Sequence, residues 1–271
     1  MGSMRKRRFN SIPLSSGWFS GPHLQRMKTL KNLIDIIYPP RCPICQEFIR
    51  DNHLDQENGK SFCRACFADF RRIHSPLCPI CSRPFVPEMQ DDHLCEDCLR
   101  IRPFFDAAGA PYLYEGTLMS AIHHFKYGAK TFLADSLGLL LAHFAQIWVE
   151  KSDGILTMPV PLHPKRLRER GFNQSLLLAR HVAGKLDTDL DFLSLRRIRY
   201  TSPQTGLGKE DRRKNVRNAF QLKDPELVKG RAVLLVDDVT TTGNTLNECA
   251  RVLKRSGCDR VICLVLARAR N

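Results

Sequence analysis

Eight of the eleven cysteines of this 271-residue chain lie in one short segment near its start. Two residues between two cysteines let both sulfur atoms of a tight turn face one metal ion, and two such turns complete a tetrahedral four-thiolate site. The segment therefore predicts two zinc sites. Its four Cys-x-x-Cys pairs are Cys42/Cys45, Cys63/Cys66, Cys78/Cys81 and Cys95/Cys98.

The first and third pairs share the sequence CPIC, which is typical of the opening turn of a zinc ribbon. This favours sequential pairing, first with second and third with fourth, although an interleaved cross-brace would use the same cysteines. A four-thiolate site has no open coordination position, so we predict structural zinc that stabilises a segment too small to fold alone. The remaining cysteines, Cys249, Cys258 and Cys263, fall in or beside apolar elements and are predicted to pack in the core.

The chain is strongly basic, with 42 Lys and Arg against 28 Asp and Glu and a formal net charge of +14. This charge favours a polyanionic partner, either nucleic acid or a phosphorylated substrate. Residues 42–103 carry eight basic and ten acidic side chains, so the cysteine segment is not the source of the charge. An apolar content of 43% excludes a disordered chain.

No stretch of the sequence predicts membrane insertion. The longest uninterrupted apolar run, Val261–Ala267, is far shorter than the roughly 20 residues of a spanning helix. The basic stretch Arg5–Arg8 leads into no long apolar core, which argues against a signal peptide. We therefore expect a soluble, cytoplasmic protein, whose first three residues before Met4 resemble an expression scar.

Strand and helix patterns alternate in the second part of the chain. The apolar stretches Ile155–Val160, Ala232–Val236 and Val261–Leu266 predict buried strands, and residues 176–186 and 246–253 have apolar side chains at helical spacing. This alternation predicts an α/β fold with a parallel sheet flanked by helices. We place the domains at 1–31 (basic tail), 32–103 (double zinc ribbon) and 104–271 (α/β domain).

The most specific motif is VLLVDDVTTTGNT at Val233–Thr245, a buried strand followed by small residues and a helix start. Thr245 and Glu248 match a capping box. Free amide groups and the helix dipole at such a start suit an anion, so we predict a phosphate site there. The predicted phosphate-binding residues are Val239, Thr240, Thr241, Thr242, Gly243, Asn244 and Thr245.

Asp237 and Asp238 at the end of this strand would repel a phosphate and need a different role. A pair of carboxylates suits the vicinal hydroxyls of a ribose, and it also suits a hydrated Mg²⁺. The whole motif resembles the 5-phosphoribosyl 1-pyrophosphate (PRPP) signature of type I phosphoribosyltransferases, which makes the two aspartates candidate catalytic residues. The alternative is an acidic strand end like that of a receiver domain or a Walker B strand, although no GxxxxGK[ST] motif is present.

Two further basic segments fit this resemblance. In phosphoribosyltransferases the loop after the strand equivalent to Ile155–Val160 contacts pyrophosphate, and Lys165 and Arg166 stand at that place here. Residues 196–217 contain eight basic and two acidic side chains. Their Gly, Ser and Pro content predicts a mobile flap, in which Arg212 and Arg213 close over the site.

With these motifs in family order, the chain resembles the ComF family of competence proteins. Its other landmarks are His124–Tyr127 (HFKY), Arg170–Gln174 (RGFNQ) and the segment from Gln204 to Asn215. The resemblance implies a double zinc ribbon joined to a phosphoribosyltransferase-like domain. It also implies a part in natural transformation, handling incoming single-stranded DNA near a helicase and recombination mediators.

Three functional hypotheses follow. The first is a PRPP-binding protein of DNA uptake that also binds single-stranded DNA. The second is an active phosphoribosyltransferase that uses Mg²⁺ and PRPP with an unknown small acceptor. The third is an interaction protein that senses PRPP. A glutamine amidotransferase is not expected, because residues 1–41 contain no cysteine to serve as an N-terminal nucleophile.

Overall fold

The computed structural model describes residues 39–49, 62–86, 91–128, 130–150, 154–201 and 214–270. The basic tail and the flap residues Arg212 and Arg213 lie outside these residues, and the domain boundaries stay predictions. The helices are α1 (Arg64–Ala68), α2 (Glu96–Arg100), α3 (Gly116–Tyr127), α4 (Leu133–Trp148), α5 (Pro164–Arg170), α6 (Gln174–Leu186) and α7 (Asn244–Arg255). The strands are β1 (Ala107–Gly109), β2 (Tyr112–Leu113), β3 (Leu156–Pro159), β4 (Asp189–Leu190), β5 (Leu195–Arg197), β6 (Phe220–Leu222), β7 (Ala232–Thr240) and β8 (Arg260–Arg268).

The strands of the main sheet are parallel and lie in the order β1–β8–β7–β3–β4, with β2 also pairing with β8 beyond β1. The predicted parallel sheet is therefore confirmed, and the three predicted strands are β3, β7 and β8. The chain leaves β3 toward β4 on one side and leaves β7 toward β8 on the other. Strand order reverses between β3 and β7, which is where open α/β sheets bind ligands.

Alternate side chains of β7 enter two separate cores, one on each face of the sheet. Leu234 and Val236 pack in the core formed with α3, α4 and α6. Val233 and Leu235 pack in the core formed with α7. Helices on both faces explain why this strand reads as a continuous apolar run instead of alternating with polar residues.

The cysteine segment lies along the edge of the sheet formed by β1 and β2. The amide of Ala108 donates to the carbonyl of Ile80 (2.7 Å), and the amide of Leu113 donates to the carbonyl of Arg71 (2.8 Å). These bonds cover an edge whose backbone groups would otherwise stay unpaired. From Arg41 onward the described residues form one compact unit.

The antiparallel pair β5–β6 brings together the two ends of the predicted flap. Ile198 donates its amide to the carbonyl of Ala219 (2.8 Å), which extends the pairing beyond the strands. The Arg199 guanidinium donates to the carbonyls of Asn215 (2.8 Å) and Arg217 (2.7 Å). The base of this segment is thus anchored on both sides.

Candidate functional site

Asp237 and Asp238 lie near the carboxyl end of β7, beside the point where strand order reverses. They are 7% and 3% exposed, respectively. Two carboxyl groups that are this buried need internal partners, because an ionised carboxylate loses most of its hydration there. The structure supplies a different partner for each of them.

Asp237 is partnered by the start of α6. Its Oδ1 accepts a hydrogen bond from the Ser175 hydroxyl (2.7 Å) and another from the backbone amide of Asp238 (2.9 Å). Ser175 is positioned by Asn173, the N-cap of α6, whose side chain accepts from the Ser175 amide (3.0 Å). Burial, followed by the negative charge of Asp238, raises the pKa of Asp237 to about 7. This carboxyl group therefore titrates near neutral pH.

Asp238 is partnered by Lys126 in the last turn of α3. The Lys126 Nζ lies 2.6 Å from the Asp238 Oδ2, and the lysine side chain is only 17% exposed. Burial is the largest single influence and acts against the charge on Lys126, but the attraction and hydrogen bond of Asp238 together with the charge of Asp237 raise the pKa of the lysine. The two residues form a buried ion pair.

The HFKY and RGFNQ segments meet in space and fix the end of α3. Phe172 packs on Phe125 with ring centroids 5.6 Å apart. The Arg170 guanidinium carbon lies 5.1 Å from the ring centroid of Tyr127. The residues on either side of Lys126 are thus both packed against this segment. Sequence reasoning used the two segments only as family landmarks and missed Lys126 and Ser175 as site residues.

The phosphate loop is shorter than the sequence predicted. Val239 and Thr240 belong to β7 and pair with Ala267 and Arg268 of β8, so placing them in a loop was wrong. The connection to α7 is residues 241–243, and the helix begins at Asn244. Extended pairing with β8 keeps the strand regular up to this point.

The predicted capping box is wrong. The N-cap of α7 is Gly243, which has a left-handed φ of 75° and starts the helix before Thr245. The Glu248 carboxylate instead accepts a hydrogen bond from the backbone amide of Asn218 (2.6 Å) and pairs with Arg251. Gly243 has no side chain to cap the helix, and the positive end of the helix dipole of α7 lies at this loop, as expected for a phosphate site.

Lys165 and Arg166 lie in α5, which follows β3 at the reversal of strand order. The Lys165 Nζ lies 4.6 Å from the ring centroid of Tyr200, and the Arg166 guanidinium carbon lies 5.8 Å from it. No residue of α5 is buried. The two predicted pyrophosphate residues therefore face a tyrosine that follows β5.

Arg197 is a further cation near the aspartates that the sequence did not single out. Its guanidinium donates to the Thr201 hydroxyl and lies over the ring of Phe220 (5.3 Å). Burial lowers the pKa of Arg197, and the negative charge of Asp237 partly opposes this effect. Its position in a segment of many arginines offered no signal that this one is packed inward.

The eight clustered cysteines form two groups of four. Within each group the sulfur atoms lie within 4.8 Å of one another. The separations of Cys45 from Cys63 (3.5 Å) and of Cys81 from Cys95 (3.6 Å) fit tetrahedral zinc, for which Zn–S bonds of about 2.3 Å imply about 3.8 Å. Sequential pairing is confirmed by the groups Cys42, Cys45, Cys63, Cys66 and Cys78, Cys81, Cys95, Cys98.

The second cysteine group is more buried than the first. All four of its members are buried, whereas Cys45 of the first group is exposed. Burial raises the pKa of the Cys81 thiol to about 11, although the charge of Arg268 opposes the rise. A bound Zn²⁺ supplies the positive charge that buried thiolates need, so this donor set fits structural zinc. Cys249, Cys258 and Cys263 are buried as predicted.

Family models match both parts of the chain. The double zinc ribbon domain matches residues 33–99, and the phosphoribosyl transferase domain matches residues 173–271. With the observed sheet topology, these matches show a phosphoribosyltransferase-like fold that carries an N-terminal double zinc ribbon. No helix among the described residues is both long enough and apolar enough to cross a membrane.

Two curated relatives cover most of the chain. DNA utilization protein YhgH of Escherichia coli (strain K12) is 34% identical over 82% of this chain and 94% of its own. Competence protein F of Haemophilus influenzae is 31% identical over 84% of this chain and 97% of its own. A solved hypoxanthine phosphoribosyltransferase from Staphylococcus aureus is 12% identical over 50% of this chain and 62% of its own, with a TM-score of 0.32.

Proposed function

The chain belongs to the ComF family of competence proteins, and on this premise we propose that it binds PRPP and handles single-stranded DNA in the cytoplasm during natural transformation. The PRPP proposal is supported by the position of three features in the fold. The aspartate pair, the loop before α7 and the basic helix α5 all lie at the carboxyl ends of the neighbouring strands β7 and β3. A helicase and recombination mediators are the proposed protein partners.

The loop before α7 is the proposed site of the 5-phosphate. Residues 241–245 include the left-handed Gly243 and the first turn of α7, whose amides and dipole favour an anion. The threonine hydroxyls of the loop add further donors. Val239 and Thr240 contribute as the end of the strand that positions the loop.

Asp237 and Asp238 are the proposed acceptors for the ribose hydroxyls. An ionised carboxylate offers about four acceptor positions, so each aspartate keeps positions for a ligand beside its internal partner. Lys165 and Arg166 are proposed to hold the pyrophosphate, with Arg212 and Arg213 closing over it. Mg²⁺, when bound with PRPP, supplies positive charge between phosphate oxygens.

Calorimetry of PRPP binding in the presence of Mg²⁺ tests this site. We expect the double variant Asp237→Asn/Asp238→Asn to lose binding heat. The matched control, Asp224→Asn/Glu226→Gln, removes two exposed carboxylates before the start of β7 and should bind as the wild type does. An isotherm unchanged by the Asp237→Asn/Asp238→Asn substitutions would overturn the assignment.

The DNA part of the proposal is supported by the surface of α5. This helix has four basic side chains and one acidic one, and none of its residues is buried. Tyr127 lies under Arg170 and is 68% exposed, and Tyr200 lies beside Lys165. Basic side chains with exposed aromatic rings are the combination that binds single strands by phosphate contact and base stacking.

Oligonucleotide binding at several salt concentrations tests the DNA proposal. We expect affinity to fall with salt, and Arg168→Glu should lower the slope of log K against log salt by about 0.7 for a lost phosphate contact. Tyr200→Ala should cost about 1–3 kcal/mol of binding free energy. Arg100→Glu, an equal charge change in α2, is the control. Affinity that does not depend on salt would refute the DNA proposal.

A second candidate function is phosphoribosyl transfer to a small acceptor. The match of residues 173–271 to the phosphoribosyl transferase domain favours it. In this reaction the aspartates hold the ribose while basic groups stabilise the departing pyrophosphate and a nucleophile attacks C1. Release of pyrophosphate from PRPP across a panel of bases, amines and nucleotides tests turnover. If no pyrophosphate is released, the protein binds PRPP without turning it over.

A further inference from the structure

The Lys126–Asp238 ion pair places a fixed positive charge at the carboxylates. The Lys126 Nζ contacts the Asp238 Oδ2, the negative charge of Asp237 also acts on it, and burial leaves the lysine side chain little contact with water. The cluster therefore contains two carboxyl groups and one ammonium group. A ligand that carries phosphate meets less negative charge here than it would at an unpaired Asp–Asp sequence.

The backbone around Lys126 is fixed by packing. Phe125, one residue earlier, is fully buried, and Tyr127, one residue later, lies beneath Arg170. Gly128 is the C-cap of α3, and its amide donates to the carbonyl of His124 (2.9 Å). A Cβ atom on Gly128 would lie 2.8 Å from that carbonyl oxygen, so the tight helix end requires glycine. These contacts keep the ammonium group beside Asp238.

Acidic pairs that bind phosphorylated ligands are commonly neutralised by a divalent cation. We infer that Lys126 takes this place as the resident cation of the carboxylate pair, so that the ribose 5-phosphate part of the ligand binds without a divalent metal. This inference rests on the proposed binding of PRPP. It makes Lys126 a positioning residue that sets the metal requirement of the site.

Mg²⁺ should affect the two halves of the ligand differently. Mg²⁺ associates with a pyrophosphate group, so PRPP binding keeps a dependence on Mg²⁺ through its own phosphates. Ribose 5-phosphate has no pyrophosphate and reports only on the carboxylates and the phosphate loop. Its affinity in wild-type protein should be the same within twofold in excess Mg²⁺ and in EDTA at a concentration that leaves the zinc content intact.

Calorimetry with ribose 5-phosphate under both conditions tests this role. Lys126→Met retains the bulk of the side chain but removes the charge, and it should weaken binding at least tenfold in EDTA, with recovery in Mg²⁺. Lys126→Arg retains the charge and should stay independent of Mg²⁺. Lys185→Met, at the exposed end of α6, is the control and should match the wild type.

Several results would overturn the inference. One is wild-type affinity for ribose 5-phosphate that falls tenfold in EDTA, and another is Lys126→Met protein that binds equally under both conditions. If Lys126→Met does not fold, as judged by circular dichroism and zinc content, the wild type and Lys126→Arg decide the question. If wild-type protein binds neither ribose 5-phosphate nor PRPP, the proposed function fails. If it binds PRPP but binds ribose 5-phosphate only in the presence of Mg²⁺, the proposed function stands and the inference about Lys126 fails.

Discussion

Arg268, at the end of β8, donates a hydrogen bond from its guanidinium to the backbone carbonyl of Cys81, 2.7 Å away. The same arginine is the strand neighbour of Thr240, the last residue of β7. One buried side chain thus connects the second cysteine group to the strand that carries the aspartates. The zinc ribbon is part of the packing of the site and not a separate appendage.

Arg268→Met should destabilise the protein. The substitution leaves the carbonyl of Cys81 without this donor and removes a charge that faces the thiolates of the second group. Losing a hydrogen bond of a charged group costs about 1.5–3 kcal/mol. Urea unfolding should show this decrease in the free energy of unfolding. Arg270→Met, which removes an exposed ion pair with Glu115, should change it by less than about 1 kcal/mol, and equal losses would contradict the proposed link.

The two cysteine groups should differ in their importance for stability. Cys98→Ser and Cys45→Ser should each remove one equivalent of zinc, measured by metal analysis. Because Cys98 packs in the core that also contains side chains of β7 and α7, its substitution should cost about 3 kcal/mol or more. Cys45 is exposed, so its loss should cost less. Equal destabilisation by the two substitutions would show that burial does not set their contributions.

Local patterns predicted much of the fold. Cys-x-x-Cys spacing and the CPIC repeat depend on tight turns that the sequence encodes within a few residues, and both cysteine groups formed as expected. The apolar runs of β3, β7 and β8 were similarly readable, because a strand covered on both faces excludes polar residues.

Contacts between distant segments explain what the sequence did not reveal. Lys126 meets Asp238 only because α3 and β7 are brought together by the fold, and a single lysine in an aromatic segment gives no sign of that partner. Glu248 has the spacing of a capping box, but the backbone of Asn218 and the side chain of Arg251 bind it instead. Sequence spacing shows which residues can interact locally, but it does not show which of the available partners a side chain binds in the fold.

Asp237→Asn should make stability less sensitive to pH. The pKa of Asp237 is raised to about 7 in the folded protein from 3.8, its ordinary value. Between these values the folded state binds a proton that the unfolded state does not, so the wild type loses stability as pH rises through this window. Asparagine does not titrate. The variant should therefore gain stability over the wild type as pH rises to 8, on the order of a few kcal/mol.

Urea unfolding of both proteins from pH 5.5 to pH 8 measures this difference. Taking the difference between variant and wild type cancels titration of groups common to both, including the cysteines. Asp224→Asn, which removes an exposed carboxylate, is the matched control variant. A constant difference for Asp237→Asn would contradict a raised pKa.

Ser175→Ala should move the pH dependence of ligand binding. The hydrogen bond from the Ser175 hydroxyl stabilises the ionised form of Asp237 and lowers its pKa, in opposition to burial. Without this bond the pKa of Asp237 rises further. Ribose 5-phosphate binding needs the ionised acceptor, so the pH midpoint of binding should move up by about one unit.

Calorimetry from pH 6 to pH 9 measures the midpoint. Affinity at pH values well above the midpoint should match the wild type, and Ser120→Ala, which removes a hydroxyl that donates to the Gly116 carbonyl within α3, should leave the profile unchanged. A uniform loss of affinity at every pH would instead mean that Ser175 contacts the ligand or supports the fold, and it would refute its action through Asp237.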